Sequence, residues 1–181
     1  RVFAAGLRDS CQHLFAMKIV PEDMEIIKEY DICHSSCYSN LEYELPTLKD
    51  ICEVSFDFSD KRDEAYLQRT CPYLTYAFFS GSDLEEDACI ALMRKVHELG
   101  TKIGGSYEEA IKAPSSMTEN GSGTRGLRKW TPSSTMGAGD SFIAGFLTAY
   151  GDGKGMEEAL DYAADRSAAT CMISGRLRLP S

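Results

Sequence analysis

An α/β fold, a mostly parallel central sheet covered by helices, is what this sequence predicts. Three observations carry that prediction. Strand-like runs alternate with helix-like runs from Pro21 onward, and the strand-like runs are short and apolar enough to be buried. A glycine-rich turn, Gly137-Ala-Gly139, then feeds without a breaker into an apolar helix from Ser141 to Tyr150.

Taken in order, Pro21 suits a first helical turn, and Glu22 to Tyr30 continues it as a short helix with Met24, Ile26 and Ile27. Asp31 to His34 reads as a short strand. Asn40 is placed to cap a helix carrying Leu41, Leu45, Leu48, Ile51 and Cys52 on one face, with Pro46 tolerable only in an early turn. Glu53 to Phe58 alternates Val54, Phe56 and Phe58 with polar residues, the period of a strand. Asp63 to Cys71 follows as helix and Thr75 to Phe79 as buried strand. Ser82 with Glu85 three residues later forms a capping box for a helix stopped at Gly100, with Leu84, Ala88, Ala91, Leu92, Val96 and Leu99 at roughly helical spacing. Gly104 to Pro132 lacks a continuous apolar pattern and reads as loop, with a short helix at Tyr107 to Lys112. The last helix spans Met156 to Met172. Its small-residue face of Leu160, Ala163, Ala164, Ser167, Ala168 and Cys171 fits a flat ligand or a neighbouring element.

The 181 residues suit one domain with a sizeable core. The net charge of −9 disfavours a general role on nucleic acid or on anionic membranes. No apolar run approaches membrane-spanning length and no signal peptide opens the chain, so neither membrane nor nucleic acid is an expected partner. Seven cysteines, an odd number without a C-x-x-C pair, point to a reducing cytoplasm. Cys33, His34 and Cys37 fit no common zinc spacing.

The chemistry concentrates at Thr135-Met-Gly-Ala-Gly-Asp-Ser-Phe-Ile-Ala-Gly-Phe-Leu147. Glycines at 137 and 139 can adopt backbone angles closed to other residues, so successive N–H groups can converge. The helix that follows adds its unpaired first-turn N–H groups and the positive end of its dipole, which suits phosphate. Asp140 at the edge of such a cradle would repel phosphate, so it reads as a base; the competing reading is an ordinary helix cap.

That string resembles the C-terminal signature of the ribokinase-like, or phosphofructokinase B, sugar kinases, D-T-x-G-A-G-D-x-F. Only the first position differs, where Ser134 stands for aspartate. The resemblance implies a ribokinase-like three-layer α/β/α fold, Asp140 as catalytic base and as a contact to the sugar, and Gly137, Ala138 and Gly139 as anion hole. It further implies ATP and Mg2+ as cofactors, a small sugar as substrate, and nucleotide contacts at Thr124, Gly126 and Ser167; a homodimer stays open. The stretch Thr124-Arg-Gly-Leu-Arg-Lys129 stands for the family's T-x-G-x-x-G motif without its last glycine, and Ser80-Gly-Ser-Asp-Leu-Glu85 occupies the place of its asparagine–glutamate magnesium motif, so the metal ligands stay unassigned. A second pair of segments, Asp31-Ile-Cys-His34 and Phe56-Asp-Phe-Ser-Asp-Lys61, looks like the central part of bacterial fructoselysine 6-kinases. In that setting Asp57 or Asp60 would meet substrate or magnesium, or Asp60 would cap the next turn. Against the family pattern, residues 1–181 read as a partial kinase domain, the C-terminal two-thirds of the fold. The N-terminal part and most of the lid are lacking, and pieces are joined across gaps between about 104 and 134. The implied activity is ATP-dependent phosphorylation of a primary hydroxyl of a sugar or sugar–amine adduct. The alternative is a non-catalytic sugar- or nucleotide-binding relative that acts through a partner.

Overall fold

The computed structural model describes residues 16–106, 115–118, 121–124 and 137–172. In chain order the elements are α1 (Pro21–Ile27), β1 (Ile32–Ser36), a 3-10 turn (Glu42–Glu44) running into α2 (Leu45–Lys49), β2 (Glu53–Asp57) and α3 (Glu64–Thr70). After these come a second 3-10 turn (Cys71–Tyr73), β3 (Tyr76–Phe79), α4 (Glu86–Glu98), β4 (Ile103–Ser106), β5 (Ser115–Thr118), β6 (Gly121–Thr124), α5 (Ala138–Gly151) and α6 (Met156–Met172). The chain divides into two compact units, one of Arg1–Phe78 with Lys95–Gly104, the other of Phe79–Arg94 with Gly105–Ser181.

In the first unit β1, β2 and β3 pair in parallel, Ile32 opposite Glu53 and Ser55 opposite Tyr76. The Ile103 N–H, at the start of β4, donates to the Thr75 carbonyl just before β3, so β4 runs the same way. The expected parallel sheet is therefore present. Val54, Ser55 and Phe56 are all at most 1% exposed, so β2 is covered on both faces and not on one alone, as its alternation suggested. The buried Ser55 hydroxyl is matched by His34 Nδ1 at 2.9 Å. Phe58 packs edge-on against Phe56 and Tyr66, and Leu45, Leu48 and Leu67 complete this core.

The helix expected from Asn40 is instead split. Asn40 sits at φ +52, outside the extended region that an N-cap requires, and the chain passes through the 3-10 turn before α2 begins. Pro46 lies in the first turn of α2, where its missing N–H leaves no bond unmade. α3 conforms to expectation, with Asp63 as a true cap accepting from the Tyr66 N–H at 3.0 Å.

The capping box at Ser82 does not form. Leu84 N–H bonds the Gly81 carbonyl in a turn, and α4 starts only at Glu86. Gly81 lies so close to Ser106 that a Cβ there would stand 2.2 Å from the serine Oγ, and this tertiary contact overrides the local cap. The buried face of α4 is Cys89, Met93 and Val96, while Ala88 and Ala91, expected on that face, are exposed. The region expected as loop from Gly104 to Pro132 contains the end of β4 and an antiparallel hairpin, β5 with β6, Ser115 opposite Thr124. The short helix placed at Tyr107 to Lys112 lies outside the described residues. In the second unit α5 and α6 pack closely, Gly145 lying against Ala163 and Arg166, and α6 has the bounds its sequence predicted.

Candidate active site

The site begins where the chain enters α5. Gly137 is left-handed, φ +77 and ψ +2, a region that costs residues with a Cβ about 1–2 kcal/mol. From that conformation the chain passes directly into the helix. Gly137 has no side chain with which to cap the helix, and the first internal bond runs from the Ser141 N–H to the Gly137 carbonyl at 3.0 Å. The N–H groups of Ala138, Gly139 and Asp140 thus have no partner inside the helix, which is what an anion at this end requires. Gly139 is an ordinary helical residue in α5, so the left-handed freedom is used at Gly137 alone of the two. Asp140 is exposed in the first turn, its carboxylate on the positive end of the helix dipole.

The end of α6 holds this turn in place. Ser141 Oγ and Thr170 Oγ1 lie 2.6 Å apart, and Gly137 faces the Thr170 methyl group. Thr170 escaped the sequence analysis; it lies three residues beyond Ser167, one turn further along the same helix, and only the packing of α5 on α6 shows that it matters. Ser167 itself is 2% exposed, and its Oγ has no hydrogen-bond partner among the described residues. A buried hydroxyl in that state is a place where a ligand can supply the missing bond. Thr124 is the last residue of β6, opposite Ser115. Gly126 and Ser134 lie outside the described residues.

Asp57 belongs to the other unit, at the carboxyl end of β2, the end at which open α/β sheets hold their ligands. It is half-buried, and Oδ1 accepts the Ser59 N–H at 2.8 Å, shaping a turn in which Ser59 takes φ +53. Asp60 is exposed just after that turn. Lys61 donates to the Cys37 carbonyl at 2.8 Å and lies over the rings of Tyr38 and Tyr66. The Tyr66 hydroxyl donates to Glu42 at 2.6 Å. Burial, and then this bond to the Glu42 carboxylate, pushes the tyrosine hydroxyl upward in pKa. Much of the Asp57-Phe-Ser-Asp-Lys61 string therefore pins the loops after β1 and β2. Tyr66→Phe, which removes only the hydroxyl bonded to Glu42, should destabilise the protein by about 1–2 kcal/mol. Urea denaturation checks this, and an unchanged midpoint would show the lock to be idle.

Burial also pushes the Cys37 thiol up to about 12, with Lys61 opposing, and raises Cys33. That is the opposite of what thiolate ligands need. Among the described residues no three of His, Cys, Asp or Glu are grouped to hold a metal ion, and no helix is long and apolar enough to cross a membrane.

Comparison with known proteins agrees with the geometry. Residues 116–176 match the profile of the pfkB family carbohydrate kinases. The chain is 39% identical over 185 residues to a fructosamine kinase of Bacillus subtilis (strain 168), covering 97% of this chain and 61% of that protein. It is 32% identical over 166 residues to a fructoselysine 6-kinase of Escherichia coli (strain K12), covering 85% of this chain and 59% of that one. The chain thus spans about 60% of the length of these curated relatives. Among solved structures, a microbiome-derived acarbose kinase superposes with a TM-score of 0.71 at 20% identity, over 83% of this chain and 52% of that chain. A ribokinase of Thermotoga maritima gives 0.66 at 20%, over 86% and 54%. The fold is ribokinase-like, and residues 116–176 carry the match to the pfkB family of carbohydrate kinases.

Proposed function

We propose that this protein acts as an ATP-dependent kinase on a primary hydroxyl of a sugar–amine adduct, fructoselysine or a related fructosamine, and that it works in the cytoplasm. The observation that carries the reading is the uncapped start of α5, left-handed at Gly137 and carrying Asp140 in its first turn. The three N–H groups there that have no partner inside the helix fit a phosphate group in charge and in number of donors. ATP brings the phosphoryl group, and magnesium neutralises its charge when bound; no residue of this chain is assigned to the metal.

The chain's own residues account for the rest. Asp140 Oδ accepts the proton of the attacking sugar hydroxyl as that oxygen bonds to the γ-phosphorus, the bond from phosphorus to the bridging oxygen breaks and ADP leaves. The amides of Ala138, Gly139 and Asp140 donate to the charge that spreads over the transferring group. Thr170, through Ser141, keeps that turn from shifting. Ser167 offers its unsatisfied hydroxyl to the nucleotide, and Thr124 and Gly126 are carried as further nucleotide contacts. Asp57 is carried as a substrate contact, its carboxylate suited to the amine of the adduct. The substrate class rests on the named activities of the two curated relatives together with the segments around Asp57.

A panel of fructoselysine, other fructosamines, fructose, ribose and 2-keto-3-deoxygluconate, followed by ADP release, tests the reading. Turnover should be highest on an amine-bearing sugar. A clear preference for a sugar without the amine retires the substrate assignment and keeps the kinase. No turnover on any of them moves the protein to the non-catalytic alternative, for which Ser134 in place of the signature's aspartate is the sequence argument.

A further inference from the structure

Between α5 and α6 runs a groove of about 350 Å3, lined in part by Ser141, Thr148, Tyr162, Arg166 and Thr170. Its volume falls within the range of small-molecule pockets. The groove has one fixed charge. The Arg166 guanidinium stands 5.0 Å from the centroid of the Tyr162 ring, and among the described residues no carboxylate pairs with it. Stacking of this kind holds a guanidinium fork ready for a planar anionic group.

The sequence gives up side-chain volume to seat that arginine. A Cβ at Gly145 would stand 3.0 Å from both Ala163 Cα and Arg166 Cγ, so a side chain there would crowd the arginine stem that glycine lets lie against α5. Around it the surface is chemically divided. Ala144, Ala169 and the Tyr162 ring offer apolar contact, and Thr148 offers a hydroxyl. The Thr170 hydroxyl is 3.2 Å from the Arg166 carbonyl and 2.6 Å from Ser141 Oγ, so those two hydroxyls are engaged with each other and with the helix. This leaves Arg166 and Thr148 as the groups for a ligand.

We propose that this groove is a second ligand site, which takes a small organic anion with an apolar body. The anionic group pairs with Arg166 and the body lies on Ala144 and Ala169. The site is distinct from the Gly137–Asp140 cradle yet touches it through Ser141 and Thr170, so an occupant bears on the turn that carries Asp140. A ligand there is placed to tune the reaction without taking part in it.

Isothermal titration of the protein, without nucleotide or sugar, tests the site with benzoate, phenyl phosphate and neutral benzamide. At least one of the two anions should bind saturably, and benzamide at least about tenfold more weakly. Arg166→Gln keeps the stem and removes the charge, and should weaken the anion about 10–100-fold, the usual effect of losing a charge-assisted pair. Circular dichroism establishes that the variant is folded, and Arg166→Lys, with the charge but not the fork, should fall between. Gly137→Val, which disturbs the cradle and leaves the groove's charge in place, should weaken the anion less than Arg166→Gln does. Which anion binds better tells carboxylate from phosphate. Three results overturn the proposal: no saturable binding below about 10 mM, equal binding of benzamide, or a loss with Gly137→Val that Arg166→Gln does not produce.

Discussion

Asp140→Asn should leave the protein folded and able to bind nucleotide while lowering phosphoryl transfer by about 10²–10⁴-fold, the usual contribution of a positioned general base. The two effects separate because of where the residue sits. Asp140 is exposed in the first turn of α5, so its charge contributes to stability only through the helix dipole, about 0.3–1 kcal/mol. Asparagine keeps the shape, and its side chain remains compatible with a helix start. It cannot take a proton at neutral pH. Equilibrium denaturation should therefore shift little, nucleotide affinity should hold or rise slightly as a negative charge leaves the phosphate site, and ADP release should collapse. Near-wild-type turnover in this variant would place the base elsewhere and reduce Asp140 to a helix-end charge.

The turn into α5 was more legible in the sequence than some of the elements around it. Gly137, Ala138, Gly139 and Asp140 are contiguous, and one stretch of chain both makes the turn and bears the carboxylate, so no long-range contact has to be guessed. α6 was legible for a similar reason: seventeen residues of consistent helical pattern outvote local ambiguity. The misreadings arose where a tertiary contact decides. Ser82 and Glu85 form a good local capping signal, yet the contact of Gly81 with Ser106, twenty-five positions away, holds the chain in a turn and delays α4. Asn40 looked like a cap by residue type, while its left-handed φ is fixed by the loop that must leave β1. The hairpin of β5 and β6 gave no signal because Ser-Ser-Met-Thr and Gly-Ser-Gly-Thr carry neither alternation nor aromatic or branched aliphatic residues. Lys61, in the same string as Asp57, is spent on the Cys37 carbonyl and two tyrosine rings, contacts that its place in the sequence does not announce. Arg166 is the reverse case. Nothing in the string Asp165-Arg-Ser167 marks it, and only the approach of α5 at Gly145 gives it a pocket.

Gly137→Val should weaken nucleotide binding by about 10–100-fold, equivalent to one charge-assisted hydrogen bond lost at the cradle. The cause is the backbone. At φ +77 a residue with a Cβ pays about 1–2 kcal/mol, and a β-branched one pays more. The chain can relieve that strain only by rotating the peptide units before α5, which turns the unpaired N–H groups off their common point. Among the described residues bulk is a lesser matter here, since the nearest atom to a Cβ at this position, the Thr170 Cγ2, is 3.5 Å away, an ordinary contact. Gly137→Ala adds that Cβ and little else, so it should reproduce about half of the loss in free energy. Gly139→Ala supplies the contrast, because Gly139 is already helical and needs no unusual φ. If the strain at Gly137 sets the cradle, nucleotide affinity by titration falls in the order wild type, Gly137→Ala, Gly137→Val, and the denaturation midpoint falls in the same order. Unchanged affinity in Gly137→Val, with the midpoint lowered, would show that the left-handed turn serves the fold alone and that phosphate is held by something other than the start of α5.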